Sequence, residues 1–225
     1  IVTGWHGGTP ERVLIDGGNK ESAAIVRQFL RDRRITYIDH VVCSHPHDDH
    51  ANGLIELVRD PSLCFNAAWM HVPAEHMSMQ LIENAINVAA STKASNVVRS
   101  AVETGFELFN ALDSRGIPIY EPFDGDVVGF LHVCGPSVEF YEEMLGELTE
   151  GESLRQLSES WEREDFFDVV SGSLLGNSMR TAATGLLENP ETDPLNDSST
   201  VLGLVLNGQR FLLTADAGIR ALSSV

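Results

Sequence analysis

Between His45 and His50 the chain sets three histidines and two aspartates in six positions, His45-Pro46-His47-Asp48-Asp49-His50. Imidazole and carboxylate are the ligands of zinc and of comparable transition ions. His45 and His47 alternate in an extended segment and can point the same way, whereas Asp49 and His50 begin the next turn and can face a second position. One loop can thus serve two ions. Two adjacent ions polarise a scissile group, generate hydroxide at neutral pH and stabilise both oxygens of a displacement. The plain alternative, a polar turn with a few capping residues, does not account for so dense a run of ligands.

These residues must be delivered by a strand, and Ile35 to Cys43 reads as one, ending where α/β proteins place their ligands. Upstream, Ile1 to Trp5 and Arg12 to Ile15 read as a hairpin around Gly7-Gly8-Thr9-Pro10, and Asp16-Gly17-Gly18 ends its second strand. Asn19 can cap a helix whose apolar face is Ile25, Val26, Phe29 and Leu30. Downstream, Asn52 to Val58 has helical character, Asp60-Pro61 stops it, and Cys64 to Val72 suits another strand.

Glu75 to Asp113 has the composition of one or two helices, with a break around Ser91 to Asn96. Ile117 to Pro122 and Val127 to Val133 read as two strands joined by the turn Phe123-Asp124-Gly125-Asp126. An acidic helical stretch follows from Val138 to Leu187, and 188–194 is a polar loop with two prolines. Thr200 to Leu206 and Gln209 to Thr214 then form a hairpin around Asn207-Gly208, with Asp216 directly after it.

The 225 residues suffice for one α/β domain with a full core. Thirty-three acidic against 15 basic side chains give a net charge of −18, which repels polyphosphate at long range and gives nucleic-acid binding no global help. Arg27, Arg31, Arg33 and Arg34 form the one dense basic run and read as a solvated helix end. Cys43, Cys64 and Cys134 are odd in number and widely spaced, so neither a disulfide framework nor a zinc ribbon is indicated. Together with the absence of a signal-peptide pattern or a long apolar run, this suggests a cytoplasmic protein without a membrane segment. The chain opens on Ile1 without a methionine, so a longer parent truncated at both ends is expected.

Ser44-His45-Pro46-His47-Asp48-Asp49-His50 resembles the H-x-H-x-D-H signature of the metallo-β-lactamase superfamily. Leu14 to Gly18 resembles that superfamily's first motif, and Phe211 to Ala217 its fourth. The resemblance implies an αββα sandwich, two mixed β-sheets flanked by helices, spanning 1–225 with helical insertions at 75–113 and 138–187. It implies two divalent ions, Zn2+ or Mn2+, with His45 and His47 on the first, Asp49 and His50 on the second, and Asp216 bridging both. Asp49 and His50 would also be catalytic. Asp16 would support the metal-binding loop from behind, as ligands need oriented partners. Standing alone, Asp16 and Asp216 would each pass for ordinary turn residues.

Among subfamilies, Asn196-Asp197-Ser198-Ser199-Thr200 looks most like the segment that ComEC-type competence proteins carry where many members have a third-motif His. On that resemblance Asp197 or Asn196 approaches the first metal. The equal alternative is that they cap the following strand or turn. Ser44 is a further candidate for hydrogen bonding to the ligands or the substrate. Ala215 stands where the family usually has Gly, a methyl group that should be tolerated. No His follows His132, and the final-strand His that would complete the second site is expected beyond Val225. His40, His71, His76 and His132 read as structural, although His71 or His76 can line a cleft.

The function that the ComEC-type resemblance implies first is phosphodiester hydrolysis, by a nuclease acting on DNA or RNA or a nucleotide phosphodiesterase. A second reading keeps the site but changes the substrate to an ester, thioester, lactone or lactam, since one fold hosts many chemistries. A third is a non-catalytic or partner-gated metal module whose acidic helical regions bind another protein.

Overall fold

A computed structural model describes residues 1–76, 93–149 and 192–225. A first sheet of five strands has the order β1 (Val2–His6), β2 (Thr9–Ile15), β3 (Tyr37–Val42), β4 (Cys64–Trp69) and β5 (Ile119–Tyr120). β1 and β2 are antiparallel, whereas β2 to β5 run parallel. A second, antiparallel sheet has the order β6 (Val127–Val128), β7 (Leu131–Gly135), β8 (Val201–Leu206) and β9 (Gln209–Leu213).

The helices are α1 (Ser22–Asp32), α2 (Asp48–Val58), α3 (Pro73–His76), α4 (Lys93–Asp113), α5 (Val138–Thr149), α6 (Pro194–Asp197) and α7 (Ile219–Ser223). The period of two along each inner strand divides the core. Leu14, Val41 and Ala68 face the helices, packing with Leu30 of α1, Leu54 and Leu57 of α2, and Leu108 and Leu112 of α4. Their neighbours Val13 and Val42 turn the other way, against Leu131, Val133 and Leu202 of the second sheet. Two sheets flanked by helices result, as the resemblance implies, the first mixed and the second antiparallel among the described residues.

Three boundaries differ from the sequence reading. α2 starts at Asp48, four residues earlier than expected, so Asp49 and His50 lie in its first turn. Two carboxylates there favour an early start, because the amide dipoles leave positive charge at a helix N-terminus. Phe123 to Asp126 does not close a hairpin: β5 belongs to the first sheet and β6 to the second. The stretch 127–133 is instead a hairpin in itself, turning at Gly129 with φ 63°. The expected helical insertions are described only as α3, α4 and α5, and 77–92 and 150–187 lie outside the described residues. The hairpin at Asn207-Gly208 is present, both residues in the left-handed region at φ 53° and 77°.

Candidate metal centre

Parallel pairing of β2 with β3 brings Asp16 beside Ser44. Ile15 faces Val42 in register, and the Asp16 amide donates to the Val42 carbonyl at 2.9 Å. Asp16 then leaves the strand at φ 52°, a left-handed conformation that a short polar side chain tolerates better than most. Its carboxylate accepts from the Ser44 amide on Oδ1 at 2.8 Å, and from the Ser44 hydroxyl on Oδ2 at 2.8 Å. Oδ2 also lies 2.9 Å from His50 Nδ1.

Glycines let this loop lie on α2. The Gly17 amide donates to the His50 carbonyl and the Gly53 amide to the Gly18 carbonyl, each at 2.8 Å. A Cβ on Gly17 or on Gly53 would overlap the other's backbone. The approach therefore demands both glycines.

Three imidazoles converge above this support. His45 Nε2 lies 3.0 Å from His47 Nδ1, and the His45 and His50 rings are 4.2 Å apart between centroids. The turn after β9 adds Asp216, whose Oδ1 is 3.5 Å from His50 Nε2. His45, His50 and Asp216 can each offer a ligand atom with all three within 4.8 Å of one another. His47 adjoins them through His45, and its buried Nε2 has no hydrogen-bond partner among the described residues. Asp49 is at the rim, 73 % exposed, with Oδ1 3.8 Å from His50 Nε2.

The electrostatics match a cation site. Burial, and then the neighbouring His47 and His50, push His45 down to about 3, so it stands as a neutral imidazole able to donate a lone pair. Burial would also lower His50, but its hydrogen bonds to Asp16 and Asp216 outweigh that and raise it to about 10. Asp216 is correspondingly lowered, chiefly by its hydrogen bond with His50. Two carboxylates thus compensate positive charge at this point. Zinc-type ions favour such a nitrogen and oxygen donor set, and a buried nitrogen without a partner costs roughly 1–3 kcal/mol that coordination would relieve. The residues present fit a divalent metal.

The segment before β8 closes the site from the second sheet. Asp193 caps α6, its Oδ1 accepting from the amides of Leu195 at 2.9 Å and Asn196 at 3.1 Å. The Thr200 amide donates to the Ser44 carbonyl at 2.9 Å, and Ser199 Oγ lies 3.3 Å from His45 Nδ1.

Asp197 does not join the imidazoles. It is buried beneath the turn that follows Asp216, where its Oδ1 accepts from the Gly218 amide at 3.0 Å. Asn196 keeps a buried Oδ1 without a partner among the described residues. Asp197, expected from the resemblance to approach the first metal, holds the Gly218 amide here, and a buried carboxylate in that role has the same local sequence as a ligand. Ser199 was missed, although it occupies the last position of the N-x-x-S segment. Asp193 reads in the sequence as part of a polar loop, yet burial raises its pKa and His47 acts on it electrostatically.

The other histidines lie apart. His40 Nδ1 accepts from the Trp69 indole at 3.1 Å, and His132 is exposed on β7. His71 is buried, stacked on Tyr141 at 4.4 Å, with Nε2 3.3 Å from Thr200 Oγ1. His76 bridges Glu121 at 3.0 Å and Glu142 at 3.2 Å.

A family model for the Metallo-beta-lactamase superfamily matches residues 7–136, more than half of the chain. The chain belongs to this superfamily of metal-dependent hydrolases. The matched span holds Asp16 and Ser44 to His50, whereas Ser199 and Asp216 lie beyond it. No curated protein and no solved structure matches the chain. No helix among the described residues is long and apolar enough to cross a membrane.

Proposed function

We propose that this chain is a phosphodiesterase or nuclease, with a binuclear centre in which His45, His47, His50, Asp49 and Asp216 hold two divalent ions. The observation that carries the reading is the contact of Ser199 with His45 Nδ1 at 3.3 Å. Ser199 belongs to the segment that resembles the one ComEC-type proteins carry in place of a third-motif His, and this contact brings that segment onto a metal-binding imidazole. The ions, when bound, supply Lewis acidity and lower the pKa of water at the site.

The chain's own residues do the rest. Asp216 joins the two halves of the site, because it comes from the second sheet and faces His50 from the first. Asp16 orients His50 from behind, the arrangement that keeps a ligating imidazole in one rotamer and one protonation state. Asp49 reaches solvent at the rim, where it can carry a proton away from the reacting group. The net charge of −18 disfavours long polyanions, so a nucleotide or a short strand suits the site better than a duplex polymer. An intracellular setting and an acidic surface that takes a protein partner belong to the same proposal.

The test is hydrolysis of bis(p-nitrophenyl) phosphate, a single-stranded oligonucleotide and duplex DNA, each with manganese or zinc, by the protein and by His47→Ala. Cleavage of at least one phosphodiester that His47→Ala abolishes supports the reading. Intact substrates throughout, or turnover of a chromogenic lactam in their place, would overturn it.

A further inference from the structure

The hydrogen bonds around Ser44 favour one assignment of protons. A carboxylate only accepts, and a serine hydroxyl has one proton to donate. Ser44 Oγ lies 2.8 Å from Asp16 Oδ2, so its proton goes there. Towards His45 Nδ1, 3.1 Å away, the same oxygen can then only accept. A proton on Nδ1 makes this contact a hydrogen bond, whereas a bare Nδ1 would set two lone pairs against each other. Ser199 Oγ, 3.3 Å from the same nitrogen, is a second acceptor for that proton. Ser44, His45 and Ser199 are all at most 2 % exposed, so water does not compete for these contacts.

We propose that Asp16 acts through the Ser44 hydroxyl to lock His45 as the Nδ1–H tautomer, leaving Nε2 as its only metal-binding nitrogen, and that Ser199 reinforces the lock. Ser44 and Ser199 are then positioning residues: neither touches the metal, and both decide which nitrogen of His45 can. Asp16 meanwhile holds His50 Nδ1 directly at 2.9 Å, so one carboxylate prepares two ligands. The inference rests on His45 being a ligand, as proposed above, although the tautomer itself can be observed without metal or substrate.

Asp16→Asn reverses the polarity of the relay within the same shape. Asn tolerates the left-handed backbone at φ 52° and keeps the acceptor for the Ser44 amide. Its NH2 group donates to Ser44 Oγ, which frees the serine proton to donate to His45 Nδ1 and moves the imidazole proton to Nε2.

Long-range 1H–15N correlation spectra of histidine-labelled, metal-free protein distinguish the two tautomers. The expected result is Nδ1–H at His45 in the natural chain and Nε2–H in Asp16→Asn. Ser44→Ala should give a mixture and Ser44→Thr should restore Nδ1–H. Competition with a chromophoric chelator should show zinc affinity falling about 10- to 100-fold in Asp16→Asn and in Ser44→Ala, as for other losses behind a ligand. An Nε2–H tautomer at His45 in the natural chain overturns the inference, even if the protein hydrolyses phosphodiesters. Nδ1–H there, shifted by Asp16→Asn, sustains it even if the hydrolysis assays fail.

Discussion

Gly53 in α2 and Gly17 in the loop after β2 meet backbone to backbone, with no space for a Cβ on either. Ala favours a helix interior over Gly by roughly 0.8–1 kcal/mol. Overpacking against atoms that cannot swing away costs about 1–3 kcal/mol, and the atoms here are main chain, so the clash outweighs the propensity gain. Gly53→Ala should therefore destabilise the protein by about 1–2 kcal/mol in urea titration. It should also weaken metal binding, because the displaced loop carries Asp16. A more stable variant with unchanged metal affinity would show that the loop does not need this contact.

Ala215, immediately before Asp216, occupies the left-handed region at φ 46°. This backbone costs an L-residue roughly 1–2 kcal/mol. Gly relieves the strain but gains about 0.4–1 kcal/mol of freedom in the unfolded chain. The strain is the larger quantity, so Ala215→Gly should stabilise by up to about 1 kcal/mol, read from the urea midpoint at unchanged m-value. A loss of stability would contradict the strained turn.

The cluster of His71 and His76 gives stability two opposing pH dependences. Burial drives His71 from 6.5 down to about 3. Between these values the unfolded chain binds a proton that the folded chain does not, so stability is full above pH 6.5 and falls as the pH drops. His76 runs the other way. Burial would lower it, but hydrogen bonds to Glu142 and Glu121 prevail and raise it. Its contribution is complete below 6.5 and is lost as the pH rises through the raised value. His71→Phe should keep the stack on Tyr141 and flatten the acid limb of unfolding free energy against pH by up to one proton. An unchanged slope would place the titration elsewhere.

Much of this site is written locally. His45 and His47 alternate because their segment is extended, and Asp16 and Asp216 follow apolar strands, so pattern and motif find them. Sheet membership is not local: β5 and β6 have two residues each, too short for any period, and only tertiary pairing sends them to different sheets. Asp197 and Ser199 show the same limit. Each is buried, and 154 positions separate Ser199 from His45, so nothing near them in the chain says which one meets the imidazole. The start of α2 at Asp48 is not legible in the sequence, because His-Asp-Asp-His serves equally as a turn or as a helix N-terminus.

Metal content decides the central claim most directly. After dialysis with excess zinc or manganese and removal of free ion, elemental analysis should find about two equivalents per chain, the content of a binuclear centre. His45→Ala and Asp216→Asn should each reduce it. Fewer than about one equivalent in the natural chain, or a content that neither substitution lowers, would contradict a metal centre built from these residues.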